Sequence, residues 1–303
     1  MTTFRRLEVP AGGSPYDRAS RCLLRSFALT REEFARVQSE SPGLMVEEGG
    51  ALLVLQPFAE EHRLHYAFPD RDSFRLLFAP LLDRALEAAD RRAYPGDIYL
   101  YYRDHPNRPF VEPVLRGCAF ELREEWMEMT LAGAPETKPR FPRGFAIRPC
   151  TEADLPQVIE VNEEAFGPGL SSLEAARRYV AEADAFQVVE SRTQGRVVGF
   201  LRLLAQGLAT GLIDDIAVRP AYQRRGLGEA MMRWALAWCR DRGLPRAKLE
   251  VRLGNAPALA LYRKLGFAPG PTGLTYRRPI DDEQVRRILE GRRGTYIKFG
   301  GWR

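Results

Sequence analysis

Apolar and polar positions alternate along this chain at two periods, and the clearer record lies after residue 144. Phe145–Arg148 alternates as a short strand, and Thr151 with Asp154 three residues on marks a side-chain-capped helix start running to about Phe166. A second helix opened by Ser is predicted over about Ser171–Ala183. Phe186–Ser191 and Val197–Ala205 read as strands joined through a turn at Thr193–Arg196, and Leu212–Val218 as a further strand. Leu227–Arg242 repeats at the helical period with Met231, Ala235 and Trp238 on one face, and Gly243 with Pro245 ends it. A strand at Ala247–Leu253, a short helix at Pro257–Leu265 closed by Gly266, and a last hairpin complete the series.

The first half echoes this order. Arg63–Phe68 matches the strand at Leu212–Val218, Phe78–Arg91 the long helix, Asp97–Tyr102 the strand at Ala247–Leu253, and Val114–Phe120 the stretch Leu261–Phe267. The offset between matched segments stays between about 147 and 151 residues, which points to an internal duplication rather than two unrelated domains. Ala132–Gly144, rich in Pro and Gly and without apolar period, is the expected linker. The expected division is therefore 1–131, a linker at 132–144, a second domain at 145–280 and a tail at 281–303. Each domain is expected to be α/β, a mixed and mostly antiparallel sheet flanked by helices.

Composition narrows the class without naming a chemistry. At 303 residues, 45% hydrophobic and 28% charged, the chain holds two ordinary cores. It has no long apolar run and no apolar region behind its first Arg pair, so a cytoplasmic protein without membrane partners is expected. The cysteines Cys22, Cys118, Cys150 and Cys239 are scattered and His is scarce, so no metal site or disulfide framework is expected; Cys22 and Cys239 fall in helical patterns. Of 45 basic residues only four are Lys, which leaves 41 Arg interleaved with Asp and Glu. No basic stripe for nucleic acid emerges.

One segment carries a specific chemistry. In Asp214-Asp-Ile-Ala-Val-Arg-Pro-Ala-Tyr-Gln-Arg-Arg-Gly-Leu-Gly-Glu229 a β-branched strand stops at Pro220, and an Arg-rich turn with two glycines opens a helix. Such a helix start leaves backbone N–H groups unpaired and carries partial positive charge. Gly226 and Gly228 remove side chains that would block a large anion, while Arg224 and Arg225 add formal charge; the expected ligand is a pyrophosphate. Thirty-two residues after Gln223 follows Asn255-Ala-Pro-Ala-Leu-Ala-Leu-Tyr-Arg-Lys-Leu-Gly-Phe267.

Together these two segments resemble the GNAT (Gcn5-related N-acetyltransferase) family. Its pyrophosphate motif, Gln/Arg-x-x-Gly-x-Gly/Ala, matches Gln223, Gly226 and Gly228, and its second motif matches Asn255, Leu261-Tyr262 and Gly266-Phe267. The resemblance covers about 140 residues, and the first half only through the internal echo. It implies acetyl-CoA as acyl donor, its arm paired with the backbone of Ile216, Ala217 and Val218 and its phosphates held by Gln223, Arg224, Arg225, Gly226, Leu227 and Gly228. By the same resemblance Asn255 binds the cofactor arm and Tyr262 protonates the leaving thiolate. The plainer alternatives are a helix N-cap for Asn255 and a flank of the buried Leu261/Leu265 stripe for Tyr262.

An amine acceptor must lose a proton, so a carboxylate is wanted. Leu249–Phe267 resembles the ribosomal-protein alanine acetyltransferases of that family, which implies Glu250 as base; by alternation Glu250 also shares a charged face with Lys248 and Arg252, where a solvated role is equally natural. Asp214 and Asp215 are rivals as base or as anchor for a substrate ammonium, one of the two facing the substrate side by alternation. Glu163 and Glu164, in the helix-to-helix region, are candidate amine-recognition residues or plain surface charge.

The first half reads Asp72-Ser-Phe-Arg-Leu-Leu77 where a pyrophosphate turn is expected, with no glycine, so this half is expected to be a degenerate copy that binds no coenzyme. The whole implies an N-acetyltransferase acting on a small-molecule or peptide amine in a ternary complex. A non-catalytic acyl-CoA sensor or assembly module and an O-acyltransferase are the alternatives, and a homodimer stays open.

Overall fold

The computed structural model describes residues 14–26, 29–40, 44–58, 61–88, 97–103, 107–133, 139–167 and 172–279. The expected tail at 281–303 and the middle of the expected linker, 134–138, lie outside them. Two compact units emerge: Met1–Glu125 with Thr272–Arg303, and Trp126–Pro271.

The first unit runs α1 (Pro15–Ala19), β1 (Leu24–Arg25), α2 (Arg31–Glu40), β2 (Met45–Glu48), β3 (Ala51–Phe58), β4 (Glu61–Phe68), α3 (Arg71–Ala88), β5 (Ile98–Arg103) and α4 (Arg108–Gly117). Strands β2, β3 and β4 form an antiparallel meander, and β5 joins β4 in parallel after the crossover through α3. Phe74 and Phe78 of α3 meet Tyr66 and Phe68 of β4, with ring centroids between 4.9 and 6.1 Å apart, and all four are fully buried. Burying such rings is the main favourable term holding α3 on the sheet.

The second unit takes in Trp126–Ala132 of β6 (Glu121–Ala132), then β7 (Phe145–Pro149), α5 (Leu155–Phe166), α6 (Leu173–Ala181), β8 (Ala185–Ser191), β9 (Arg196–Gln206), β10 (Thr210–Val218), α7 (Leu227–Asp241), β11 (Arg246–Arg252) and α8 (Ala256–Lys264); β12 (Ala268–Arg278) begins in it and from Thr272 on belongs to the first unit. Strands β7 to β10 are antiparallel, β11 joins β10 in parallel, and Trp126–Ala132 of β6 lies antiparallel to β11. The meander, crossover helix and parallel strand of the first unit are thus repeated. Strand β9 is buried from Val197 to Leu203 because helices cover both of its faces. Val197 and Phe200 pack with Val158 and Val161 of α5, while Val198, Leu201 and Leu203 pack with Met231, Ala235 and Leu236 of α7.

The echo reaches the helix ends. Phe267 donates its N–H to the Tyr262 carbonyl at 3.0 Å, past Gly266 at φ +92°; Phe120 donates to the Leu115 carbonyl at 3.0 Å, past Ala119 at φ +64°. The left-handed residue that closes α8 therefore has a counterpart closing α4, there without the glycine that makes it easy.

Three expectations are corrected. The helix expected from Phe78 begins earlier, at Arg71, so that Asp72–Leu77 forms its first turns, because Asp70 caps it there. The last hairpin is one eleven-residue strand, β12, whose Gly273–Arg278 pairs with β5 and whose Leu274 and Tyr276 alternate into the first core. Cys22 is buried but lies beyond α1, not within a helix.

The helix start expected at Thr151–Asp154 is present as a short 3₁₀ turn with reciprocal capping, Thr151 N–H and hydroxyl both donating to Asp154 Oδ2 at 2.8 and 2.7 Å. Arg148 adds a bidentate pair to Asp154 at 2.7 and 2.8 Å. The Arg148 guanidinium and the Thr151 donors hold the Asp154 carboxyl down at about 2, outweighing its burial. A depressed carboxyl contributes stability above its unfolded value that disappears as pH falls through the folded value. Asp154→Asn is therefore expected to remove about 2 kcal/mol at pH 7 and much less at pH 2, measured by urea unfolding at both pH values.

Candidate active site

The parallel pairing of β10 with β11 covers only Thr210–Ile213 against Arg246–Leu249. Beyond that point β10 stays with β9 as far as Val218↔Gly199, while β11 stays with β6 as far as Arg252↔Trp126. The two strands part, and the edges of Asp214–Val218 and Glu250–Arg252 face a cleft. Gly199 keeps the outer pairing tight: a Cβ there would lie 2.5 Å from the Ala217 carbonyl oxygen. Ile216, Ala217 and Val218, the expected coenzyme-arm residues, lie on the parted edge.

At the end of this edge stands the glycine turn. Arg224 and Gly226 both adopt left-handed backbone, at φ +58° and +81°. Gly226 is the N-cap of α7 and supplies no side-chain cap, so the first N–H groups of the helix are left for another acceptor. Gln223 donates its amide to the Val218 carbonyl at 3.0 Å, tying the turn to the strand end. Arg225 donates to the Ala221 carbonyl at 2.9 Å and lies over the Tyr222 ring, 5.0 Å from its centroid. Leu227 is buried beneath the turn. A pyrophosphate fits this cradle, since the helix start carries partial positive charge and no carboxylate caps it.

The turn and the second motif come together. A Cβ on Gly228 would lie 3.6 Å from Leu261 Cδ2, and Glu229 bonds Lys264 Nζ at 2.6 Å, so α8 abuts the start of α7. Asn255 caps α8, its Oδ1 accepting from the Ala258 N–H at 3.2 Å. Tyr262 is 6% exposed, and burial pushes its phenol up to about 12. Glu250 is exposed on β11, one residue past the last pair with β10.

Asp214 and Asp215 sit where the strands part, and a β-bulge falls between Ile213 and Asp215. The extra residue suspends the alternation expected here, since both carboxylates reach one cluster. Asp214 pairs with Arg202, Asp215 accepts from the Tyr179 hydroxyl, and Arg202 lies over the Tyr179 ring at 4.5 Å. Burial raises the Asp215 carboxyl above its usual range and outweighs the opposing Tyr179 hydrogen bond; Arg202 and Arg252 also pull it down. Tyr179 and Arg202 were missed by sequence reasoning. The legible signal was Arg202, a lone charge in the apolar run of β9.

Glu164 pairs with Arg219, a 3% exposed guanidinium that also bonds Glu160 at 2.6 Å and the Val197 carbonyl at 3.0 Å. Glu164 thereby braces the end of β10 through Arg219. Glu163 is exposed on α5. Among the described residues no group of three or more His, Cys, Asp or Glu could hold a metal ion, and no helix is long and apolar enough to cross a membrane.

Comparison with known proteins bears on the family and the fold. The model of the "Acetyltransferase (GNAT) family" matches residues 155–267. The mycothiol acetyltransferase of Saccharomonospora viridis is 32% identical over 215 residues, covering 65% of this chain and 67% of that protein. That of Segniliparus rotundus is 32% identical over 210 residues, covering 64% and 78%. A solved tandem GNAT protein from the clavulanic acid biosynthesis pathway superposes with a TM-score of 0.55 at 16% identity, covering 78% of this chain and 83% of its own, which shows a shared fold.

Proposed function

The chain belongs to the GNAT family of acetyltransferases, and on that premise we propose that it transfers acetyl from acetyl-CoA directly to a primary amine of a small molecule. The observation that carries this is the parted strand pair ending at an uncapped glycine helix start. Bound acetyl-CoA would supply the activated thioester. The N–H groups of Leu227 and Gly228, with Gln223, Arg224 and Arg225, would hold its phosphates, and the backbone of Ile216–Val218 and Asn255 its arm. A backbone N–H on the same edge would polarise the carbonyl.

Tyr262, held protonated by burial, would give its proton to the departing sulfur. Glu250 would take the proton lost by the amine, directly or through water. Asp215 would anchor an acceptor ammonium, because its half-buried carboxylate has acceptor capacity beyond the Tyr179 hydroxyl. Two relatives carry the name mycothiol acetyltransferase, which supports trying a mycothiol-type small molecule first among acceptors.

The test is purified protein with acetyl-CoA and a panel of amines and matching alcohols, followed by product mass. Acetylated amine is the expected product. Saturable coenzyme A binding with no product would replace the proposal with a sensor, and product from alcohols alone would make the enzyme an O-acyltransferase.

A further inference from the structure

In the first unit, β4 is paired along one edge with β3 from Phe58↔Glu61 to Leu52↔Ala67. On its other edge β5 pairs only at His62↔Ile98 and Arg63↔Tyr99. Past Arg63 the parallel pair ends, as the pair in the second unit ends past Ile213. Here the edge does not stay open. Strand β1 runs antiparallel along it, Leu24 opposite Phe68 and Arg25 opposite Ala67. Ser26 extends the contact: its N–H donates to the Tyr66 carbonyl at 3.0 Å and its Oγ accepts from the Tyr66 N–H at 3.1 Å. Leu24 is 2% exposed in the same core as Phe68 and Phe74.

The helix start is closed as well. The Asp70 carboxylate accepts from the Ser73 N–H at 2.7 Å, and the Ser73 hydroxyl donates to the Asp70 carbonyl at 2.9 Å. A carboxylate thus takes the place on α3 that the glycine N-cap of α7 leaves for an anion. Phosphate is excluded there by both occupancy and repulsion.

We propose that Leu24–Ser26 is a built-in occupant of the N-terminal cleft, lying along β4 where a coenzyme arm would lie along β10, so that each chain binds one coenzyme A. The segment supplies through the covalent chain the backbone pairing and apolar contact that a ligand would bring. The placement of the arm on β10 rests on the function proposed above; the closure of the β4 edge does not.

Two measurements on the full chain test this. Titration calorimetry with coenzyme A is expected to give one site per chain. Hydrogen exchange is expected to show the Ser26 and Tyr66 amides slow with or without coenzyme A, and the Ile216–Val218 segment slowed only by its addition. Two sites per chain, or Ser26 and Tyr66 amides that exchange fast alone and slow on adding coenzyme A, would overturn the closure. No binding at all would sink the cofactor reading of the second unit, while slow exchange at Ser26 and Tyr66 would still support the occupied edge. Ser26→Pro removes both donor and acceptor, so it is expected to speed Tyr66 exchange more than tenfold and leave coenzyme A affinity unchanged. Unaltered Tyr66 exchange in that variant counts against the proposal; should it fail to fold, the wild-type exchange pattern decides.

Discussion

Gly226→Val is expected to weaken coenzyme A binding by about a hundredfold, or about 2.7 kcal/mol. Two effects act in the same direction. At φ +81° a β-branched residue is strained by about 1–3 kcal/mol, and the turn relaxes toward a conformation that no longer aims its N–H groups at one point. The added side chain also covers the helix start from which a phosphate would be bound. Gly228→Ala is the control. Its Cβ would meet only Leu261 Cδ2 at 3.6 Å, an ordinary contact, and alanine suits the first turn of a helix, so affinity is expected to change by less than about fivefold. Calorimetry on both variants, with melting curves to check folding, distinguishes the cases. Unchanged affinity in Gly226→Val would remove the basis for placing the donor here.

Glu250→Gln and Tyr262→Phe are each expected to lower kcat by about a hundredfold or more, the usual range for losing one general acid or base, with coenzyme A affinity kept within about twofold. The substitutions separate chemistry from packing. Tyr262→Phe retains the ring that packs 6.0 Å from Phe267 and removes only the hydroxyl, and Glu250 is exposed, so neither change opens a cavity. Their combined effect is expected to fall short of the product of the single losses, because the two groups act on one transfer. Asp215→Asn is a different kind of change. It removes charge without removing the Tyr179 contact, and is expected to act mainly on KM for the amine. If Glu250→Gln and Tyr262→Phe both leave kcat near wild type, the proton must travel by other groups, and Asp215 becomes the first candidate base.

The elements of the second unit were legible because each announces itself locally. Thr151 and Asp154 mark a helix start by reciprocal capping, Gly266 marks a helix end by its left-handed backbone, and Met231, Ala235 and Trp238 mark the buried face of α7 by period. The glycine turn was legible for the same reason: a helix start without a capping side chain is written in consecutive residues. The first unit was harder. Its α3 begins at Arg71 because Asp70 and Ser73 cap each other, ahead of the stretch Phe78–Arg91 in which the sequence places the helix.

What the sequence determined by itself was therefore the order of strands and helices from β7 to α8, the duplicated plan, and the glycine turn that opens α7, all of which depend on neighbours in the chain. Only the tertiary structure decided where β10 leaves β11, that a bulge sends Asp214 and Asp215 to one Arg202–Tyr179 cluster, that β12 runs as one strand beside β5, and that Leu24–Ser26 closes the edge of β4. These are matters of register between segments tens to hundreds of residues apart. Register is set by which side chains share a core and which backbone edges find partners, and neither is encoded in any short window of the chain.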